Sequence, residues 1–258
     1  MLLHIGGFHL AVDSDRSTPW HRLVPQTRLL CALVFVFATA LTPTGHWETW
    51  ALYALGLAVL IGLSRVSLPV LLLRVALEAG FVGVVLIGTL FRPGGTVLWQ
   101  WGMLQVTTEG LAVLGSVSFK ALLCLIMLNL LTLTTPVPEL LQGLTRLKMP
   151  PLLVAILASM YRYIAVLAAE FSTMRRAAAS RNLTARPQGQ RRVIGNMIGA
   201  LFVRSYVRGD RVYQAMLARG YSGAMPTAAA IRMGPPDRIA LGLMVGLAAM
   251  GQLLWFGV

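Results

Sequence analysis

Two stretches decide how this chain is read. Residues 150–182 run PPLLVAILASMYRYIAVLAAEFSTMRRAAASRN, and residues 193–220 run VIGNMIGALFVRSYVRGDRVYQAMLARG. In the first, apolar residues recur at Leu153, Ile156, Leu157, Met160, Ile164, Leu167, Phe171 and Met174, which is helical spacing. Pro150 and Pro151 suit a helix start. In the second the apolar stripe is Ile194, Met197, Ile198, Leu201, Val212 and Met216. Both stretches close the same way: a small residue, an arginine, then a residue that tolerates positive φ. These are Ser180-Arg181-Asn182 and Ala218-Arg219-Gly220. Both therefore read as helix C-termini, with an arginine that complements the negative end of the helix dipole. Each guanidinium fork stands at a helix tip, where it can meet a carboxylate on a partner. Between the helices, Thr184 to Gln190 reads as a linker with Pro and Gly. The helices span roughly 40–48 Å at 1.5 Å per residue and can cross or pair antiparallel.

Working outward, the 258 residues are 57% hydrophobic and only 12% charged. A soluble domain carries about twice that charged fraction, so the fold class is all-α, a polytopic membrane helix bundle. The net charge of +13 is concentrated: from Arg146 to Arg238 there are fifteen Lys or Arg against Glu170, Asp210 and Asp237. A basic block beside membrane spans points to a cytoplasmic face, anionic lipid or an acidic protein surface rather than to nucleic acid. Arg204, Arg208 and Arg211 form a stripe of their own, read either as a solvated face or as contact with lipid headgroups or an acidic partner.

Five spans are expected, at about 28–41, 47–63, 70–91, 109–133 and 239–256, the last long enough to cross at about 1.5 Å per residue. The domains are then an N-terminal cytoplasmic segment 1–27, a four-span region 28–135, a cytoplasmic coupling region 136–236 and a C-terminal membrane helix 237–258. Arg92-Pro93-Gly94-Gly95 opens a loop holding Trp99 and Trp101, placed like interfacial anchors. Arg16, Arg22 and Arg28 precede the first span, the next loop has no Lys or Arg, and Arg65 and Arg74 flank the third span. Lys and Arg in the loops set orientation, so the N-terminus and the basic block are expected inside and the C-terminus outside.

Two charges fall within spans, Glu78 and Lys120. Such residues are costly in a membrane. The leading expectation is an intramembrane pair between them, with a Glu78–Arg74 pair, snorkelling or an ion pathway as alternatives. Cys31 and Cys124 sit in apolar runs and read as packing residues. His4 and His9 have no carboxylate or Cys between them and read as structural or exposed rather than as metal ligands. No GxxxxGK[ST], HExxH or Cys/His cluster is present, so no catalytic residue, metal site or cofactor is expected.

The whole pattern resembles the transmembrane T component of energy-coupling factor transporters, in particular the CbiQ group of cobalt/nickel importers. The resemblance is carried by Trp20-His21-Arg22-Leu23 leading to Arg28-Leu29-Leu30 and by Leu41-Thr42-Pro43. It continues through Thr134-Thr135-Pro136-Val137-Pro138-Glu139-Leu140-Leu141 and Met160-Tyr161-Arg162-Tyr163. The family's hallmark is a pair of Ala-Arg-Gly motifs ending two coupling helices. Ala218-Arg219-Gly220 matches it fully, and Ser180-Arg181-Asn182 keeps the arginine. The resemblance implies a non-catalytic scaffold in the bacterial cytoplasmic membrane. Its arginines would dock on CbiO-like ATPase subunits, and its helices would move a CbiM-like substrate-binding membrane subunit, with a CbiN-like accessory subunit. The rival readings are a membrane-anchored basic scaffold that binds anionic lipid or an acidic partner without transport, and a channel or secondary carrier.

Overall fold

In the computed structural model the described residues are 18–43, 47–87, 97–101, 104–182, 187–223 and 233–256. The chain divides into two units, one made of 12–143 with 230–258, the other of 1–11 with 144–229. His4 and His9, the tip of the turn after the first span, Arg92–Gly95 and Thr184–Arg186 lie outside the described residues.

The first unit holds α1 (Pro25–Leu41), α2 (Trp47–Ser64), α3 (Leu68–Ile87), α4 (Thr108–Thr134) and α8 (Pro235–Phe256). A short hairpin, β1 (Val97–Trp101) with β2 (Leu104–Thr107), joins α3 to α4, and α5 (Val137–Arg146) begins here. The hairpin replaces the expected loop. Val97-Leu98-Trp99-Gln100-Trp101 and Leu104-Gln105-Val106-Thr107 are rich in β-branched and aromatic residues. They pair antiparallel, Trp101 opposite Leu104, with a bulge between Val97 and Trp99.

α1 and α2 each pack on both α4 and α8, and α3 packs on α4. The core between them is built from Cys31, Phe35, Tyr53, Leu57, Met127, Leu130 and Met244. The rings of Phe35 and Tyr53 meet edge to face at 5.9 Å. Close approach of α2 and α8 rests on two glycines, as is common between membrane helices. A Cβ at Gly56 would run into Leu247, and one at Gly251 would overlap the Tyr53 ring. Gln252 donates to the Ala38 carbonyl at 3.0 Å, which fastens α8 to α1.

At one end of this unit a buried guanidinium gathers three pieces of chain. Arg28 is 5% exposed. Its Nε donates to the Leu23 carbonyl at 3.1 Å, and one terminal nitrogen donates to the His21 carbonyl. The other terminal nitrogen donates to the Thr134 carbonyl at 2.9 Å, to the Thr135 hydroxyl at 3.3 Å and to Glu139 at 3.3 Å. Trp20 adds a bond from its indole N–H to the Thr134 hydroxyl, 3.2 Å. The segment before α1, the end of α4 and the start of α5 are thus tied to one side chain. Beside it, the buried carboxylate of Asp237 accepts from the Gly234 N–H at 2.8 Å, as an acid three residues into a helix does in a capping box. Its second oxygen accepts from the Val24 N–H, also at 2.8 Å, so one carboxylate holds the starts of both α1 and α8.

α1 begins at Pro25, three residues earlier than expected, because proline suits the first helical turn. That places Arg28 inside the helix and not in the flank. Among the described residues, α2, α4, α6 (Pro151–Ser180) and α8 are long and apolar enough to cross a membrane, and α1 is a shorter apolar helix. The 20 residues of α3 reach the roughly 30 Å of a hydrocarbon core at 1.5 Å per residue.

Arg28→Ala strands five acceptors and is expected to cost about 3–5 kcal/mol, the range for breaking a buried charged network. Arg28→Lys should recover only part of it, since an ammonium cannot reproduce the fork. Thermal unfolding in detergent measures both. By the same readout Gly251→Ala should lose about 1–3 kcal/mol through overpacking against Tyr53. Gly242→Ala on the same helix, where a Cβ meets nothing within 4 Å, should be near neutral.

Candidate functional site

The second unit carries the two arginine-tipped helices, α6 and α7 (Pro187–Ala218), of 30 and 32 residues. α7 starts at Pro187 and not near Val193, so part of the expected linker is helix; a proline in the first turn lacks only an N–H that has no helical partner there anyway. The two C-termini have matching geometry. Asn182 has φ +55° and Gly220 φ +81°, both left-handed. At α7 the Gly220 N–H reaches the Leu217 carbonyl at 2.9 Å and the Tyr221 N–H reaches Met216 at 3.0 Å, the paired bonds of a Schellman cap. At α6 the Asn182 N–H makes the equivalent inner bond to Ala179 at 2.9 Å. Arg181 and Arg219 therefore occupy the same cap position, one residue before the left-handed one. Both are exposed, as are Ser180, Asn182, Ala218 and Gly220.

α6 and α7 pack on each other through a three-residue clasp. Glu170 on α6 accepts from Arg204 at 3.3 Å and from Arg208 at 3.0 Å. Its side chain is 18% exposed, and Arg208 keeps one terminal nitrogen buried. The stripe at 204, 208 and 211 is therefore not a plain solvated face: two of its three arginines turn to an acid on the neighbouring helix, and only Arg211 is left wholly to the surface. Both Arg181 and Arg219 lie eleven residues beyond a clasp residue, Glu170 and Arg208 respectively. α6 is also more apolar than its expected place outside the membrane requires. Leu152, Leu153, Ile156, Met160 and Ile164 are all exposed on it.

The expected Glu78–Lys120 pair is not formed. Glu78 accepts from the Asn129 amide at 2.6 Å. Lys120 donates to the Thr42 carbonyl and lies 5.9 Å from the centre of the Trp50 ring. The reason is depth along α4: Asn129 is nine residues, about 13 Å, from Lys120, too far for one carboxylate to reach both. Thr42 is the C-cap of α1, so the ammonium meets the negative end of that helix and a ring face in place of a carboxylate. Arg28 with Glu139 and Asp237, which the sequence reading did not single out, is the larger polar assembly.

A double-mutant cycle tests the clasp. Glu170→Ala and Arg208→Ala should each lower the unfolding midpoint, and the double variant should lose less than their sum, with a coupling of roughly 1 kcal/mol. Strict additivity would show that the contact carries no energy.

Residues 16–228 match the CbiQ family, described as cobalt transport protein. A Listeria innocua protein named energy-coupling factor transporter transmembrane protein EcfT is 30% identical over 217 residues, covering 79% of this chain and 80% of its own. A Thermanaerovibrio acidaminovorans protein of the same name is 30% identical over 246 residues, with 88% and 89% coverage. The Bacillus subtilis protein of that name is 28% identical over 215 residues, with 79% and 80% coverage. The matched length takes in the Arg28 network up to Glu139 and both arginine tips. A multi-pass membrane protein, this chain belongs to the CbiQ family of transmembrane components of energy-coupling factor transporters.

Proposed function

We propose that this chain is the non-catalytic scaffold subunit of an energy-coupling factor importer, and that Arg181 and Arg219 are where it takes up motion from partner ATPases. The observation that carries the reading is the matched pair of exposed arginines, each set one residue before a left-handed cap at the end of a long helix. A cap of this kind frees the guanidinium from the helix body while fixing the backbone beneath it. The fork is suited to a carboxylate groove on a CbiO-like ATPase. ATP binding would shift the two helices, and the exposed apolar side of α6 would carry that shift to a CbiM-like substrate-binding membrane subunit, with a CbiN-like accessory subunit. The transported ion is cobalt or nickel, and it is cargo of the partner rather than a ligand of this chain. The name of the matched family supports a cobalt-group system. The N-terminus and the basic block lie on the cytoplasmic side, following the loop charges.

The test is ATPase retention on the purified membrane subunit together with metal uptake in cells. Arg219→Glu should abolish uptake while the chain stays folded, because reversal removes a charge-assisted bond and adds repulsion. Truncating one partner of such a pair already costs about 2–5 kcal/mol. Arg219→Lys should be impaired, Arg181→Glu should follow Arg219→Glu, and the double reversal should release the ATPases. Arg211→Glu is the control, since Arg208 is engaged with Glu170. Normal retention and uptake in the double reversal would leave the lipid-binding scaffold as the better reading.

A further inference from the structure

Glu78 is the eleventh residue of α3, about 15 Å along its axis, near the middle of the span. Its side chain is exposed on the surface of its unit, among exposed Leu72, Leu73 and Leu77. A carboxylate facing hydrocarbon at that depth is costly, and such residues are found paired or facing a cavity. Among the described residues it has one hydrogen bond, from Asn129. Asn129 is 4% exposed, and its amide nitrogen also donates to the Leu125 carbonyl at 3.0 Å, so both of its N–H groups are committed. The amide therefore aims the carboxylate without neutralising it, and leaves most of its acceptor sites open. Neither candidate cation answers it. Lys120 is engaged at Thr42, and among the described residues no ion pair joins Glu78 to Arg74. The described residues also hold no group of three or more His, Cys, Asp or Glu that would make this a metal site.

We propose that the α3 face bearing Glu78 is a docking surface for a membrane-spanning helix of the substrate-binding subunit, and that this helix brings a cationic or amide donor to the Glu78 carboxylate. The choice of partner rests on the scaffold reading above. Charge complementarity sets its chemistry: an apolar helix with one basic or amide side chain at mid-depth. The bond is directional and desolvated, so it fixes the register of the two proteins in the membrane, which apolar contact in lipid does poorly.

The experiment uses the complete transporter in native membranes, with a photo-crosslinking amino acid at Leu77. A crosslink to the substrate-binding subunit that falls at least fivefold in Glu78→Leu supports the proposal, provided ATPase retention is unchanged. Glu78→Gln, which keeps an acceptor oxygen, should lie between. Glu78→Leu paired with Asn129→Leu, which leaves no stranded amide, should lose the crosslink equally while the chain alone keeps its heat stability, which separates lost docking from lost folding. Crosslinks to lipid alone, to a second copy of this chain, or to the substrate-binding subunit at a level that Glu78→Leu does not change would overturn the proposal while leaving the scaffold function standing. Absence of both ATPases and substrate-binding subunit from the wild-type complex would overturn the two together.

Discussion

At the Arg28 end of the bundle one buried guanidinium ties together the segment before α1, the end of α4 and the start of α5. Helices that meet in lipid gain little from burying apolar surface, so their register must come from packing detail and from polar bonds. Arg28 supplies donors in a rigid plane, and backbone carbonyls from two separate segments, the Thr135 hydroxyl from the α4–α5 connection and Glu139 from the first turn of α5 converge on it. The carbonyls at the end of α4 have no intrahelical partners, and the Thr134 carbonyl finds its donor here. The charge is tolerable because Glu139 answers it directly and Asp237 is buried close by. The start of α5 is set by the same network, through Glu139.

Asp237 extends this logic to the last helix. Its two oxygens each hold the N–H just before a helix, at Val24 and Gly234. The C-terminal helix is thereby placed beside the first one, although Val24 and Asp237 are 213 residues apart in sequence. The rest of the α1–α8 contact can then be made by small and apolar side chains, with Gln252 and Ala38 adding one bond further along.

Much of this was readable from residue order. Small residue, arginine, then Asn or Gly predicts a left-handed cap, and both caps formed because the preference is local. Helix positions followed from apolar runs for the same reason. What failed was relational. Arg28 counted only as a flanking positive charge, since sequence does not say which carbonyls a guanidinium will find. The Glu78–Lys120 pair was inferred from depth within two spans, but a helix also has a rotation about its axis and a neighbour at each level. Those brought Asn129 to the acid and Thr42 to the amine. The 204/208/211 stripe did not show that two of its arginines also meet an acid, because Glu170 lies 34 residues away from Arg204 in sequence. The β hairpin was overlooked where Pro and Gly before it outweighed the alternating residues that follow.

The clasp has a mechanical consequence. Arg181 and Arg219 sit eleven residues past Glu170 and Arg208, so each helix overhangs the contact by about 16 Å. On the proposed coupling role the overhangs would act as two arms of similar length about the clasp. A rotation of roughly 10° about the clasp sweeps each tip by about 3 Å, the length of a hydrogen bond. Equal arms convert one angular change into equal strokes at two separate points. A scaffold gripped at both tips by a symmetric pair of subunits would be driven without being tilted.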